Sequence, residues 1–328
     1  MSVAGFIVIA FMLTAYVVLD GYDLGVAAIA PLIARDDRER AATMASIGPF
    51  WNGNEVWLIA AGAALFALFP EAYASSFSGF YLPFIIVLWL LMARGLAMEL
   101  RSEFASPLWH QAWDTAFSLS SALLIFVFGL AIGNLLRGLP LDSAGYFRGT
   151  FAFLLNPYAL LVAVLAVATL AVHGAAFAAM RIDGKPAVRA TRLLGIGTWA
   201  VAALYVVVTA LTLATRMPVR APWLIAMPVI SLPLLMFSWW SARNGRPVRA
   251  FAATSCFVVS LLVAFAGTIF PYLLPAFPGG RAGISIFSAA PSATALTCAL
   301  VVNGLGILLV AIYAPIVWRR MGDKVRVE

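Results

Sequence analysis

"VAGFIVIAFMLTAYVVLDGYDLGVAAIAPLI", residues 3–33, is an apolar run interrupted by only two charges, Asp20 and Asp23. It is longer than the roughly 20 apolar residues that carry a helix across a bilayer. A charge buried in hydrocarbon costs at least about 3 kcal/mol, so such groups face other helices and find partners there. The run therefore reads as a membrane helix, with its two acids turned toward the rest of the chain.

The composition outside this run agrees. The 328 residues are 63% hydrophobic and 11% charged, with a mean hydropathy of +0.99; soluble domains are about half apolar and a quarter charged. The runs are long and continuous, unlike the alternating segments of about 10 residues in a membrane β-barrel. Nine helices are expected: about 3–33, 50–70, 74–101, 115–136, 152–181, 192–214, 222–242, 250–271 and 292–319. The stretch 50–101 would be about 78 Å long as one helix at 1.5 Å per residue, so it must fold back near "FPEAYASS". Charge supports the division. Nine spans put 15 Lys and Arg on one side of the membrane and five (Arg137, Arg148, Arg216, Arg220, Arg281) on the other. By the positive-inside rule the N-terminus lies outside and the C-terminus in the cytoplasm. The whole chain, 1–328, reads as a single all-α polytopic domain. No basic residue precedes the first apolar run, which argues against a cleaved signal. The net charge of +7 belongs mostly to short loops that set topology, so no nucleic-acid partner is expected. The loops "RDDRER" and "RIDGKPAVRATR" read as solvated turns. Cys256 and Cys298 read as small buried hydrophobes.

Orientation assigns depth. Asp20 and Asp23, three residues apart, occupy one face of the first helix. "WNGNEVW" opens the second with Asn52, Asn54 and Glu55, and "LMARGLAMELRS" brings Arg94 and Glu99 into the third. "AVHGAAF" adds His173 at a similar depth. Arg94 is the natural counter-ion for Asp20, Asp23 or Glu55, and Gly21, Gly25, Gly53 and Gly62 would let helices approach closely. Glu99, near its helix end, reads as snorkelling to the interface. The cluster suits either an ion-pair network that fixes helix order or a proton path, since intramembrane Asp, Glu and His form relays. On these residues alone a proton-coupled secondary transporter leads, although the cluster lies off the midplane where transporter sites sit. Trp109, Trp113, Trp239, Trp240 and Trp318 near span ends read as an aromatic belt, and Asn303 as an interhelical hydrogen-bonding residue. The sequence contains no GxGxxG, P-loop or CxxC motif. Its two histidines, His110 and His173, lie in different segments at different depths, with His110 read as a solvated loop residue. Redox chemistry would require a partner chain.

The motifs "LDGYDLGV" (19–26), "SIGPFWNGNEVWLIAAGAALFALFPEAYASSFSGFYLP" (46–83), "RGLAMELRS" (94–102) and "GNLLRGLP" (133–140) resemble subunit II of the cytochrome bd family of quinol oxidases. "LLNPYALLVAVLAVATLAVHGA" (154–175) and "TIFPYLLP" (268–275) extend the likeness along the chain. The resemblance implies two four-helix bundles plus a peripheral helix, in a heterodimer within a bacterial cytoplasmic membrane. It implies a partner, subunit I, that ligates two b-type hemes and one heme d and carries the quinol site. It leaves room for a small single-helix accessory subunit. Quinol would be oxidised and dioxygen reduced to water with protons drawn from the cytoplasm. Asp20 and Asp23 match the family's acidic pair and Arg94 its helix-3 arginine, expected to support the heme-bearing subunit or to line a proton path with Glu55 and His173. Asn52 stands where many relatives carry Asp, so a route depending on that position would turn to Glu55, the aspartates or water. The short chain lacks a long outer loop, as in the cyanide-insensitive branch of the family, and the resemblance leaves both branches open.

Overall fold

The computed structural model describes residues 1–214, 226–277, 283–321 and 323–327. The chain enters as α1 (Ser2–Ile33) and turns into a short helix, α2 (Asp37–Ile47). The stretch 50–101 folds back as expected, through an intervening helix. α3 (Trp51–Leu68) stops at Phe69, α4 (Pro70–Gly79) starts on Pro70, and α5 (Tyr81–Leu100) follows Phe80. Then come α6 (Pro107–Arg137), the single turn α7 (Phe151–Leu154), α8 (Pro157–Arg181) and α9 (Lys185–Ala214). α10 (Met227–Arg243), α11 (Pro247–Ile269) and α12 (Ala293–Met321) complete the helices. The start of the expected span at 222 lies outside the described residues, as do Arg216, Arg220 and Arg281.

Seven of the described helices (α1, α5, α6, α8, α9, α11 and α12) are long and apolar enough to cross a membrane. α3 and α10, 18 and 17 residues long, occupy the other two stretches read as spans. The polar opening WNGNE lowers the hydropathy of α3.

Local chemistry sets the ends. Asp36 caps α2 by accepting from the Glu39 amide at 2.9 Å. Asn156 caps α8 by accepting from the Ala159 amide at 3.0 Å, ahead of Pro157. Proline at the first helical position costs no hydrogen bond, and it starts α4, α6, α8 and α11 alike.

α1 is the central strut, packed against α3, α6, α8 and α11. α8, α9, α10 and α11 form a closed ring of neighbours, α5 lies on α6, and α12 rests on α3 and α1. α1 and α8 meet backbone to backbone: a Cβ on Gly25 would stand 2.0 Å from the Leu170 carbonyl oxygen, and one on Gly174 would stand 2.3 Å from the Gly25 carbonyl carbon. Of the four glycines expected at contacts, Gly25 makes this one and Gly21 meets Leu170, whereas a Cβ on Gly53 or Gly62 would meet nothing within 4 Å. Those two face away from this chain's core.

The chain is not purely helical. β1 (Tyr272–Pro275) and β2 (Gly283–Ser285) pair antiparallel, with Leu274 opposite Ile284. The prolines that end α11 leave extended backbone, and pairing satisfies its polar groups. The loops between the basic ends are also structured. "RDDRER" starts α2, and Glu39 is buried beneath Arg189 at 2.6 Å. "RIDGK" pairs with the tail, where the Val325 amide donates to the Arg181 carbonyl and the Asp183 amide to the Val325 carbonyl. His110, expected in a loop, lies in the first turn of α6 with Nδ1 3.1 Å from Asp37 Oδ1. Cys256 and Cys298 are exposed on helix faces, not buried. Trp318, expected in the belt, stacks on Phe50 at 4.9 Å within a cluster that includes Tyr22, Phe177 and Phe251.

Candidate functional site

Four ionisable residues from three helices, Asp20, Asp23, Glu55 and Arg94, meet beside the start of α3, together with Asn54. Asp20 is fully buried on α1 because the helix face carrying it turns into the bundle. Arg94, also fully buried on α5, donates from Nη1 to Asp20 Oδ1 at 2.7 Å and from Nη2 to Glu55 Oε2 at 2.9 Å. The Glu55 side chain is 21% exposed, so the bridge runs from the core to the edge of this chain. The Trp51 ring covers the guanidinium at 5.8 Å. A planar fork can hold two carboxylates at once; a lysine would hold them only as a point charge.

Asp23, one turn further along α1, holds no cation among the described residues. Its Oδ2 accepts from Asn54 Nδ2 at 2.7 Å, and the same amide reaches the Tyr22 hydroxyl at 2.8 Å. Two carboxylates thus hold the guanidinium, and a third, Asp23, lies beside them on Asn54. Asp23 Oδ1 and Arg94 Nε, both buried, have no hydrogen-bond partner among the described residues, and the Tyr16 hydroxyl lies against Asp20.

The structure brings Asp20, Glu55 and Arg94 into direct contact and sets Asp23 beside them. Asn52 does not join them: it is exposed, and the polar place belongs to Asn54. Residues two apart on a helix point to different sides, and Asn54 shares the α1-facing side. The sequence reading puts Asn52 in the cluster; the structure places Asn54 there instead, because only its side of α3 turns toward α1.

His173 is fully buried but holds no carboxylate. Its Nδ1 lies 2.9 Å from Thr254 Oγ1 on α11 and its Nε2 3.0 Å from the Val18 carbonyl on α1. A carbonyl only accepts, so Nε2 carries a proton. The ring also stacks on Phe251 at 5.1 Å. This histidine ties α1, α8 and α11 together, and neither nitrogen is free to ligate a metal. His110 is engaged with Asp37 at the surface. The described residues contain no group of three His, Cys, Asp or Glu able to hold a metal ion.

Comparison with known proteins gives a consistent family. The cytochrome bd-I ubiquinol oxidase subunit 2 of Escherichia coli K12 is 29% identical over 98% of this chain and 94% of its own length. The cytochrome bd ubiquinol oxidase subunit 2 of Bacillus subtilis is 35% identical over 57% of this chain and 56% of its own. A chain of the bd oxidase from Geobacillus thermodenitrificans shares the fold, with a TM-score of 0.78, 20% identity and 97% of each chain covered. The model of the family described as cytochrome bd terminal oxidase subunit II matches residues 1–321, nearly the full length, and the chain is a multi-pass membrane protein that belongs to this family of quinol:oxygen oxidoreductase subunits.

Proposed function

We propose that this chain is the heme-free second subunit of its oxidase. It braces a heme-bearing subunit I and lines a proton entry with Asp20, Asp23, Glu55 and Arg94. The observation that carries this reading is the Arg94 bridge, 2.7 Å to fully buried Asp20 and 2.9 Å to part-exposed Glu55. An ion pair buried only for stability gains little over apolar packing. This one reaches the edge of the chain and has buried polar atoms without partners among the described residues, Arg94 Nε and Asp23 Oδ1, at the kind of site that internal water bridges. His173 serves as a tie between helices within this assembly. Exposed Asn52 faces away from the cluster, on the surface a partner would cover.

In the same proposal the chain spans a bacterial cytoplasmic membrane nine times, as two four-helix groups plus peripheral α12, with the N-terminus outside and the C-terminus in the cytoplasm. α3 and α10 provide the two spans beyond the seven. The two b-type hemes, heme d and the quinol site lie in subunit I; the engagement of both His173 nitrogens supports leaving the hemes to that partner. A small single-helix accessory subunit completes the assembly. The family match gives no support to a transporter.

The test uses the complex isolated through a tag on this chain. Asp23→Asn and Glu55→Gln, each isosteric, are compared with the native complex in quinol oxidase turnover and in the reduced-minus-oxidised visible spectrum. Lower turnover or a weaker heme d band is expected. Native turnover with a native spectrum in both variants refutes the role.

A further inference from the structure

The end of the molecule that gathers the basic loops treats its cations in two ways. Near α2 they hold carboxylates: Arg101 bonds Asp114 at 2.6 Å and Asp37 at 2.7 Å, and Arg189 bonds Glu39 at 2.6 Å. Lys324 bonds Asp183 at 2.8 Å. Across the ends of α9, α10 and α11 the pattern reverses. The sequence has no Asp or Glu between Asp183 and Asp323. Arg192, Arg243, Arg246 and Arg249 are not buried, and none holds a carboxylate among the described residues.

Two of these arginines share a cavity. Between the first turns of α9 and the end of α10 is a space of about 580 Å³, lined by Arg192, Gly195, Ile196, Trp239, Arg243 and Gly245. Arg243 lies over the Trp239 ring at 5.0 Å, and Trp199 meets the same ring edge-on at 5.7 Å. Stacking of this kind orients the guanidinium. Arg246 covers Trp240 at 5.6 Å beside it. Tryptophans mark the headgroup level of a bilayer, and exposed Ile196 and Trp199 continue from the cavity along α9.

We infer that this cavity binds the phosphate of an anionic phospholipid. Arg192 and Arg243 grip the phosphate, the indole of Trp239 backs it, and an acyl chain lies along Ile196 and Trp199. Guanidinium forks match phosphate geometry, and basic pockets between membrane helices hold anionic headgroups. The cavity opens onto an apolar helix face, which suits a lipid better than a free anion. Topology alone accounts for basic residues at this end. It does not account for two arginines without carboxylate partners converging on one cavity against a tryptophan. The inference does not depend on the proton role proposed above.

The test uses the whole oxidase complex, delipidated in neutral detergent and titrated in separate arms with phosphatidylglycerol, phosphatidylcholine and inorganic phosphate. Native mass spectrometry counts bound lipid, and the thermal midpoint reads its effect. Phosphatidylglycerol should bind and raise the midpoint, while the other two at equal concentration should not. Arg192→Gln with Arg243→Gln should weaken phosphatidylglycerol binding about thirtyfold, from the attraction per basic residue at an anionic surface. Arg192→Lys with Arg243→Lys, which keeps the charge, should retain most of it. Equal binding of the two lipids, an equal shift with inorganic phosphate, or native binding by the glutamine pair overturns the inference. If the glutamine pair does not assemble, the native complex decides: its preference for phosphatidylglycerol must shrink as salt rises toward about 1 M, where the screening length falls to about 3 Å.

Discussion

Replacing Arg94 with glutamine removes the one cation that Asp20 and Glu55 share among the described residues. Asp20, fully buried, loses a 2.7 Å partner, and Glu55 loses one at 2.9 Å. Removing one member of a buried pair strands the other charge and costs about 3–5 kcal/mol. The glutamine amide can still donate to one carboxylate, which places the expected loss near the lower figure, about 3 kcal/mol. Arg94→Lys keeps the charge but loses the fork, so one of the two contacts goes, for about 1.5–3 kcal/mol. The double variant Asp20→Asn with Arg94→Gln no longer buries an unmatched charge at Asp20 and should recover at least half of the single loss. The assay is a detergent-unfolding titration of the purified complex, comparing native, both single variants and the double in one cycle. An Arg94→Gln complex within about 1 kcal/mol of native, or a double variant no better than Arg94→Gln, refutes the claim that this bridge is a coupled structural unit.

Three further outcomes follow from the same geometry. Asn54→Leu leaves Asp23 Oδ2 and the Tyr22 hydroxyl without their 2.7 and 2.8 Å donor, and should destabilise the complex by about 1–3 kcal/mol in that titration, whereas exposed Asn52→Leu should change the fold of this chain by no more than about 0.5 kcal/mol. Gly25→Val drives a side chain into the Leu170 carbonyl and the backbone of α8; overpacking against backbone costs about 3 kcal/mol or more, so the yield of folded complex should fall sharply, while Gly53→Val, which meets nothing within this chain, should express normally. The hydrogen bond from Arg189 holds the Glu39 carboxyl below its usual range. A lowered folded value means the stabilisation is complete above the unfolded glutamate value, about 4.3, and is lost as pH falls through the folded value. Between pH 5 and pH 3 the thermal midpoint of the native complex should therefore fall more steeply than that of Glu39→Gln; parallel curves would exclude the contribution.

Much of the candidate site was legible because a membrane leaves charged residues few places to go. Asp20, Glu55 and Arg94 each interrupt an apolar run, and the cost of an unpaired charge makes their meeting a necessity. The helix rotation that selects Asn54 over Asn52 was not legible. Both lie in "WNGNEVW", and only packing against α1 turns one inward. His173 looked like a relay member for the same reason Arg94 looked like a counter-ion. Its neighbours, Thr254 and the Val18 carbonyl, come from distant segments, and they make it a tie.

The sequence by itself determined that the chain is a multi-pass membrane protein, that 50–101 must fold back, and that the buried acids would face an arginine. Those conclusions rest on transfer free energy, which is local and additive along a run. The tertiary structure decided which glycines bring helices together, how α2 and the tail lock the basic end, and where arginines stand without carboxylates. Those features depend on residues far apart in sequence meeting at specific rotations: Asp37 with Arg101, Glu39 with Arg189, Gly25 with Gly174 and Arg192 with Arg243. Hydropathy is blind to rotation about a helix axis, because turning an apolar helix changes its partners and leaves its insertion energy the same.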